Sequence, residues 1–282
     1  MNAVIVLLIM GLVLGLIIGV VVKFIAVAAD PKQQEVEALL PGANCGACGH
    51  AGCSAFAEAL LHGDAEPSEC PVNDSDAVQR ICGLLGMEYG QREPKIAVVK
   101  CGGDSTKAEN AGLYNGVIDC KDADLVASGG KACRYGCLGL GSCARVCPFG
   151  AIEITDSGIA VVHPDICTGC GKCVPVCPRN IIELVPKSAP LHVLCNSPEK
   201  GNVKRKACSV SCIACRKCVK AAEEEGVGEM IIDGFLARVN YDNPPTAATA
   251  DVCPTGCIHT APVPASLKEN AQAEEVQEVA NG

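Results

Sequence analysis

The sequence predicts an α+β protein: one apolar helix that spans a membrane, followed by several small modules of short helices and hairpins. Two observations carry this expectation. Met1 to Val22 holds no charged side chain, and 22 cysteines recur through 282 residues in short-spaced runs, several closing on Cys-Pro. A third agrees with them: aromatics are 3% of the chain and Trp is absent, so no large aromatic core is on offer.

The apolar run resumes after Lys23 and continues to Ala29. About 20 apolar residues suffice to cross the hydrocarbon core. Ala26-Val27-Ala28 resembles a secretory cleavage site, but a signal peptide carries a basic n-region and a shorter apolar stretch, and no Lys or Arg precedes Lys23. The segment 1–29 therefore reads as a transmembrane anchor. Lys23 and Lys32 follow its apolar stretch, which places the body on the cytoplasmic side of the cell membrane. Gly11, Gly15 and Gly19 line one helix face and read as a packing surface for a transmembrane partner. A single span forms no ion pathway by itself.

Cysteine at this density has three readings: a disulfide framework, structural zinc or iron–sulfur clusters. Disulfide scaffolds are usually short secreted domains. Zinc knuckles commonly recruit histidine, yet the chain has five histidines and none at ligand spacing beside a cysteine pair. Runs closing on Cys-Pro are the mark of ferredoxin clusters. Metal–thiolate bonds supply folding energy directly, so modules built on them manage with little core. The reading is [4Fe–4S] clusters, at least four and five if the linkers contribute, in a reducing compartment. A net charge of −9 argues against nucleic acid as a partner.

The first module, 30–90, offers Cys45-x2-Cys48-x4-Cys53 and then Cys70-Pro71, the four thiolates of one cluster. Ser54 to Gly63 reads as a short helix ended by Gly63. His50 and His62 read as surface or packing residues. A linker over 91–127 leads to a two-cluster module at 128–187. There Cys167-x2-Cys170-x2-Cys173-x3-Cys177-Pro178 is a complete ferredoxin run, in which the last Cys serves the other cluster. The partner run ends at Cys147-Pro148 and holds Cys143 and Cys137, but Leu140 stands in its second position. Cys133 is the expected substitute. The expected sets are Cys133, Cys137, Cys143 and Cys177 for one cluster, and Cys147, Cys167, Cys170 and Cys173 for the other. Ala151–Thr155 and Ile159–Val162 read as a hairpin across Asp156-Ser157-Gly158. Gly139-x-Gly141-x-x-Ala144 imitates a dinucleotide fingerprint but lacks the preceding strand.

In the third module, 188–260, Cys212-x2-Cys215-x2-Cys218 starts a run whose fourth position is Ala222. A second run keeps only Cys253-Pro254, with Asn243, Thr246 and Thr249 where three ligands belong. Under crossed ligation the four missing thiols are one complete cluster set. Cys212, Cys215, Cys218 and Cys253 are the other, so one cluster is retained. Cys101, Cys120, Cys195 and Cys208 remain as a fifth set where the linkers meet. Cys82 and Cys257 read as small apolar packing residues. Residues 261–282 read as a disordered tail.

The Gly-rich anchor, Cys45-Gly-Ala-Cys-Gly-His-Ala-Gly-Cys53, Cys133-Arg-Tyr-Gly-Cys-Leu-Gly-Leu-Gly-Ser-Cys143 and Cys167-Thr-Gly-Cys-Gly-Lys-Cys173, in that order, resemble the RnfB family of the Rnf complex, a membrane-bound, ion-translocating ferredoxin–NAD oxidoreductase. The resemblance covers nearly the whole chain and departs at Ala222, Asn243, Thr246 and Thr249. It implies a non-autonomous subunit that relays electrons from soluble reduced ferredoxin toward a flavin-bearing, NAD-reducing partner and membrane-embedded carriers, with sodium or proton export. No catalytic triad, phosphate loop or flavin motif stands in the chain. The rival reading is the anchored iron–sulfur subunit of a hydrogenase or formate dehydrogenase. A third is a redox-silent metal scaffold.

Overall fold

The computed structural model describes residues 2–25, 30–88, 90 and 93–261. The tail beyond Ala261 and the stretch Ala26-Val27-Ala28 lie outside the described residues. Helix α1 (Asn2–Ile25) contains Val4–Val21, long and apolar enough to cross a membrane, with mean hydropathy 3.3 and none of it buried against the protein. Gly11, Gly15 and Gly19 have nothing within 4 Å of where a Cβ would stand.

The first module packs α2 (Pro31–Leu39), α3 (Cys53–His62) and α4 (Ser75–Leu85) around Val36, Phe56, Leu60 and Ile81. Each helix has a local reason to begin or end. Asp30 caps the Lys32 N–H of α2 at 2.9 Å, Asp74 caps the Ala77 N–H of α4 at 2.6 Å, and Gly63 closes α3 in the left-handed region. His50 packs its ring 5.3 Å from Phe56.

Two modules of one plan follow. In the central one, β1 (Lys95–Val99) enters, α5 (Cys120–Leu125) and α6 (Ser142–Arg145) come next, then the hairpin β2 (Ile152–Ile154) and β3 (Ala160–Val162), and β4 (Ile182–Pro186) returns antiparallel to β1. In the C-terminal one, β5 (Leu191–Val193) enters, then α7 (Gly201–Ala207) and α8 (Lys217–Glu225), the hairpin β6 (Met230–Asp233) and β7 (Leu236–Val239), and β8 (Ile258–Thr260) returns antiparallel to β5. Both hairpins are two-stranded and short, and each is backed by apolar residues packed against cysteines.

The linker expectation for 91–127 needs correction. That stretch supplies β1, whose register with β4 runs from Lys95 opposite Pro186 to Val99 opposite Ile182. It also supplies α5. Between the two, residues 100–119 hold no strand or helix. The β4 segment, which in the sequence trails the second run, closes on this earlier strand. Periodicity alone does not reveal the pairing, because the two strands stand far apart in sequence.

Candidate iron–sulfur sites

In the first module, three residues with positive φ (Gly42, Asn44 and Gly46) curl the loop that carries Cys45 and Cys48. Asn44 accepts the Cys53 N–H at 2.8 Å and ties the start of α3 to that loop. Cys70 lies within electrostatic reach of Cys48 and Cys45, and Cys48 and Cys53 pack on the same core as Cys70. Burial raises the Cys70 thiol above its ordinary value.

The central module holds two thiol cavities. Cys147, Cys167, Cys170 and Cys173 line one, as the spacing predicts. Burial pushes Cys173 up to about 12, with Cys167, Cys170 and Cys147 adding like-charge repulsion. Ala151 and Ala97 donate backbone N–H groups to Cys147 and Cys167 Sγ at 3.3 and 3.4 Å.

The other cavity is lined by Cys120, Cys137, Cys143 and Cys177. Here the spacing misleads, and Cys120 stands in the place expected for Cys133. A polar clamp holds it there. The Asp119 carboxylate accepts from Lys121 N–H, Ser142 Oγ–H and Arg145 at 2.8, 2.9 and 2.7 Å. Ser142 Oγ in turn accepts the Cys120 N–H at 2.8 Å. The clamp fixes the start of α5 against α6, which carries Cys143. Burial pushes Cys143 up to about 12, and Cys137, Cys120 and Cys177 all add to it. The Gly139–Gly141 loop serves this packing rather than a nucleotide: a Cβ on Gly139 would collide with the Gly158 backbone at the hairpin turn.

Cys133 instead joins Cys101, Cys195 and Cys208 around a third cavity. A Cβ on Gly136 would meet Cys133 and Cys101 Sγ at 3.5 and 3.6 Å, and one on Gly103 would meet Cys208 and Cys101 Sγ at 2.9 and 3.9 Å. The fifth expected set is thus corrected by one exchange, Cys133 for Cys120. The two modules contribute matching pairs. Cys101 and Cys195 each stand two residues past the entering strand, and Cys133 and Cys208 each stand four residues before the first Cys of a run. That repeated offset is the signal available in the sequence.

The C-terminal module brings Cys212, Cys215, Cys218 and Cys253 to one cavity, with Cys257 as a further lining thiol. Cys257 Sγ lies 3.6 Å from Cys253 Sγ. It is held protonated well above the ordinary range, and as a donor it brings Cys253 down to about 4 and Cys212 to about 6. Cys257 is 2% exposed and occupies the position that Ala151 holds after Cys147-Pro148, so small and buried describes it, although its sulfur also touches the thiol set. Cys82 is buried in α4, its thiol facing the Glu88 carbonyl at 3.6 Å.

Four thiols pressed together under burial cannot all ionise without compensating positive charge, which a ferric–ferrous core bound by thiolates supplies. Among the described residues no group of three His, Cys, Asp or Glu is set closely enough for a single metal ion. The sulfurs instead border cavities, an arrangement that fits a multi-iron core. Backbone N–H groups aimed at Sγ atoms are the further feature such a core uses.

A long apolar helix ahead of repeated, mostly part-buried thiol quartets defines a membrane-associated, multi-cluster iron–sulfur protein. Comparison with known families agrees: residues 40–72 match a family described as a putative Fe-S cluster and 132–181 a 4Fe-4S dicluster domain. A Methanosarcina acetivorans protein, named as the B-type subunit of an ion-translocating oxidoreductase complex, is 38% identical over 92% of this chain and 97% of its own length. An Acetobacterium woodii protein, named as the B-type subunit of a Na(+)-translocating ferredoxin:NAD(+) oxidoreductase complex, is 39% identical over 84% of this chain and 70% of its own. A Clostridium ljungdahlii protein named for the proton-translocating equivalent is 37% identical over 97% and 98%. The chain belongs to the RnfB family of ion-translocating oxidoreductase complexes.

Proposed function

We propose that this chain is the electron-relay subunit of an ion-translocating complex, taking electrons from reduced soluble ferredoxin and passing them toward an NAD-reducing, flavin-bearing subunit and membrane-embedded partners. The thiol sets proposed as ligands are Cys45/Cys48/Cys53/Cys70, Cys120/Cys137/Cys143/Cys177, Cys147/Cys167/Cys170/Cys173, Cys101/Cys133/Cys195/Cys208 and Cys212/Cys215/Cys218/Cys253. Each [4Fe–4S] core supplies reversible one-electron exchange.

The observation that carries the relay is a pair of backbone links between neighbouring sets. The Cys137 N–H donates to Cys101 Sγ at 3.2 Å. On the other side the Cys212 backbone lies close enough to the Cys195 thiol to favour its charged form. The linking set is thus hydrogen-bonded to one proposed ligand of the central module and lies beside one of the C-terminal module, which supports a path through the three sets. Residues on that path position sulfur and exclude water; none is arranged to act on an organic substrate.

Helix α1 anchors the body, and the Lys residues that follow its apolar stretch support a cytoplasmic orientation. The open Gly11/Gly15/Gly19 face supports a transmembrane partner. The test is anaerobic mixing of the purified chain with reduced ferredoxin. The reading expects the visible absorbance of the chain to bleach on mixing and to recover on oxidation. A chain that dithionite reduces but reduced ferredoxin does not would contradict it.

A further inference from the structure

Three buried cations surround the set that joins the two modules. Lys131 is 9% exposed, Arg179 7% and Lys204 2%. Lys131 Nζ donates to the carbonyls of Gly103 and Cys137 at 2.6 and 2.8 Å, and Lys204 Nζ to those of Ser197 and Phe235 at 3.1 and 2.6 Å. No carboxylate is among these partners. Arg179 donates to the carbonyls of Cys133, Gly136 and Ser128 at 2.8, 2.7 and 2.8 Å, and pairs with Asp124 at 2.9 Å. Gly136, Ser197 and Lys204 line the joining cavity itself.

No other quartet is reached by all three: Arg179 also lines the Cys120/Cys137/Cys143/Cys177 cavity and Lys131 also acts on Cys137, while of the three only Lys204 reaches the C-terminal quartet. Lys172 and Arg216 border two of the other cavities but are exposed, so water screens them. Lys204 faces Cys212 as well as Cys195, whereas Arg179 and Lys131 both act on Cys133. The acids that oppose these cations are Asp124, already paired and one-third exposed, and half-buried Glu199.

Taking up an electron adds one negative charge to a core that is already anionic with its four thiolates. Positive charge fixed nearby in a low-dielectric interior stabilises that reduced state and raises the potential. We propose that Lys131, Arg179 and Lys204 are positioning residues that make the Cys101/Cys133/Cys195/Cys208 centre the highest in potential of those in this chain, so that it holds the electron between the central and C-terminal modules. The electron it gains is lost by a neighbouring centre, and ultimately by the low-potential one-electron donor; no bond forms or breaks. This rests on the relay reading and adds to it the place where charge resides.

The test is an EPR-monitored redox titration of the anaerobically purified full chain. The signal is assigned by its loss in Cys208→Ser. Lys204→Met and Lys131→Met are each expected to lower its reduction constant about tenfold, which is about 59 mV for one electron. Asp124→Asn, a partly exposed change that leaves the lysines in place, is expected to raise it, because Arg179 then acts without its counter-charge. Potentials unmoved by the lysine changes, or lowered by Asp124→Asn, would overturn the proposal. If Cys208→Ser removed no iron at all, the relay reading would fail first, at the level of the site. Thus the two failures are told apart.

Discussion

The central and C-terminal modules share an entering strand, a hairpin and a returning strand, yet one holds two thiol quartets and the other one. The difference begins at a single position. Cys147-Pro148 follows Cys143 in the central module, and proline cannot continue a helix, so α6 stops at Arg145. The corresponding pair after Cys218 is Ala222-Glu223, and α8 runs on to Glu225 before Gly226 closes it. Ala222 and Thr249, both at expected ligand positions, are 2% and 0% exposed, and Ala222 packs in a core with Met230, Leu236 and Val239. Thr246 donates to Glu225 at 2.6 Å, and the Asn243 carbonyl accepts the Glu229 N–H at 2.8 Å. Where the central module gathers two thiol quartets, the C-terminal one gathers one and fills the positions of the other with side-chain packing. Losing thiols as a complete set is what makes that exchange workable.

The sharpest way to break this comparison is at the cysteines. Cys120→Ser is expected to remove one cluster from the central module and Cys133→Ser the joining cluster, about four iron each, with the double variant losing about eight. Were Cys120 and Cys133 alternatives for one centre, the double variant would lose no more than a single one; iron analysis of the three proteins decides.

A smaller contrast lies in the entering strands. Val98 in β1 corresponds to His192 in β5, which is 1% exposed and 3.1 Å from the Tyr241 hydroxyl. Burial brings His192 down to about 4 from the ordinary 6.5. Between those two values the unfolded chain binds more protons than the folded one. Stability is complete above that window and falls as pH drops through it, by about 3 kcal/mol at most. Acid unfolding of the wild type against His192→Leu/Tyr241→Phe should show the C-terminal module losing this sensitivity. Equal acid profiles would remove the contrast.

Smaller again, Thr249 Oγ1, at one of the positions where a ligand belongs in a full run, is buried with no hydrogen-bond partner. Thr249→Val should stabilise the C-terminal module by about 1 kcal/mol, read from denaturant midpoints. The smallest expected effect is on iron in Cys257→Ala. Ala151 already serves at the matching central position, so content should stay unchanged although the thiol touches Cys253 and Cys212. A loss of about four iron would make Cys257 a ligand instead.

Much of this is legible in the sequence because spacing encodes it locally. The full run from Cys167 to Cys177, the hairpin across Asp156–Gly158 and the helix ending at Gly63 all declare themselves within a short stretch of chain. The two corrections have a common physical origin. β1 pairs with β4 across a long separation in sequence, and Cys120 reaches Cys143 through the Asp119–Ser142–Arg145 clamp. Neither contact follows from periodicity. Spacing draws Cys133 to the Cys137 set because it lies four residues before Cys137, while Cys101, Cys195 and Cys208, which line a cavity with it, stand far off in sequence. The shared offsets of Cys101/Cys195 and Cys133/Cys208 emerge only when the two modules are aligned position by position.

The most direct measurement is iron and acid-labile sulfide per chain on anaerobically purified protein. Five thiol quartets predict about twenty of each. A value near sixteen would mean that the joining quartet holds no cluster, and with it the bridge between the two modules would be gone.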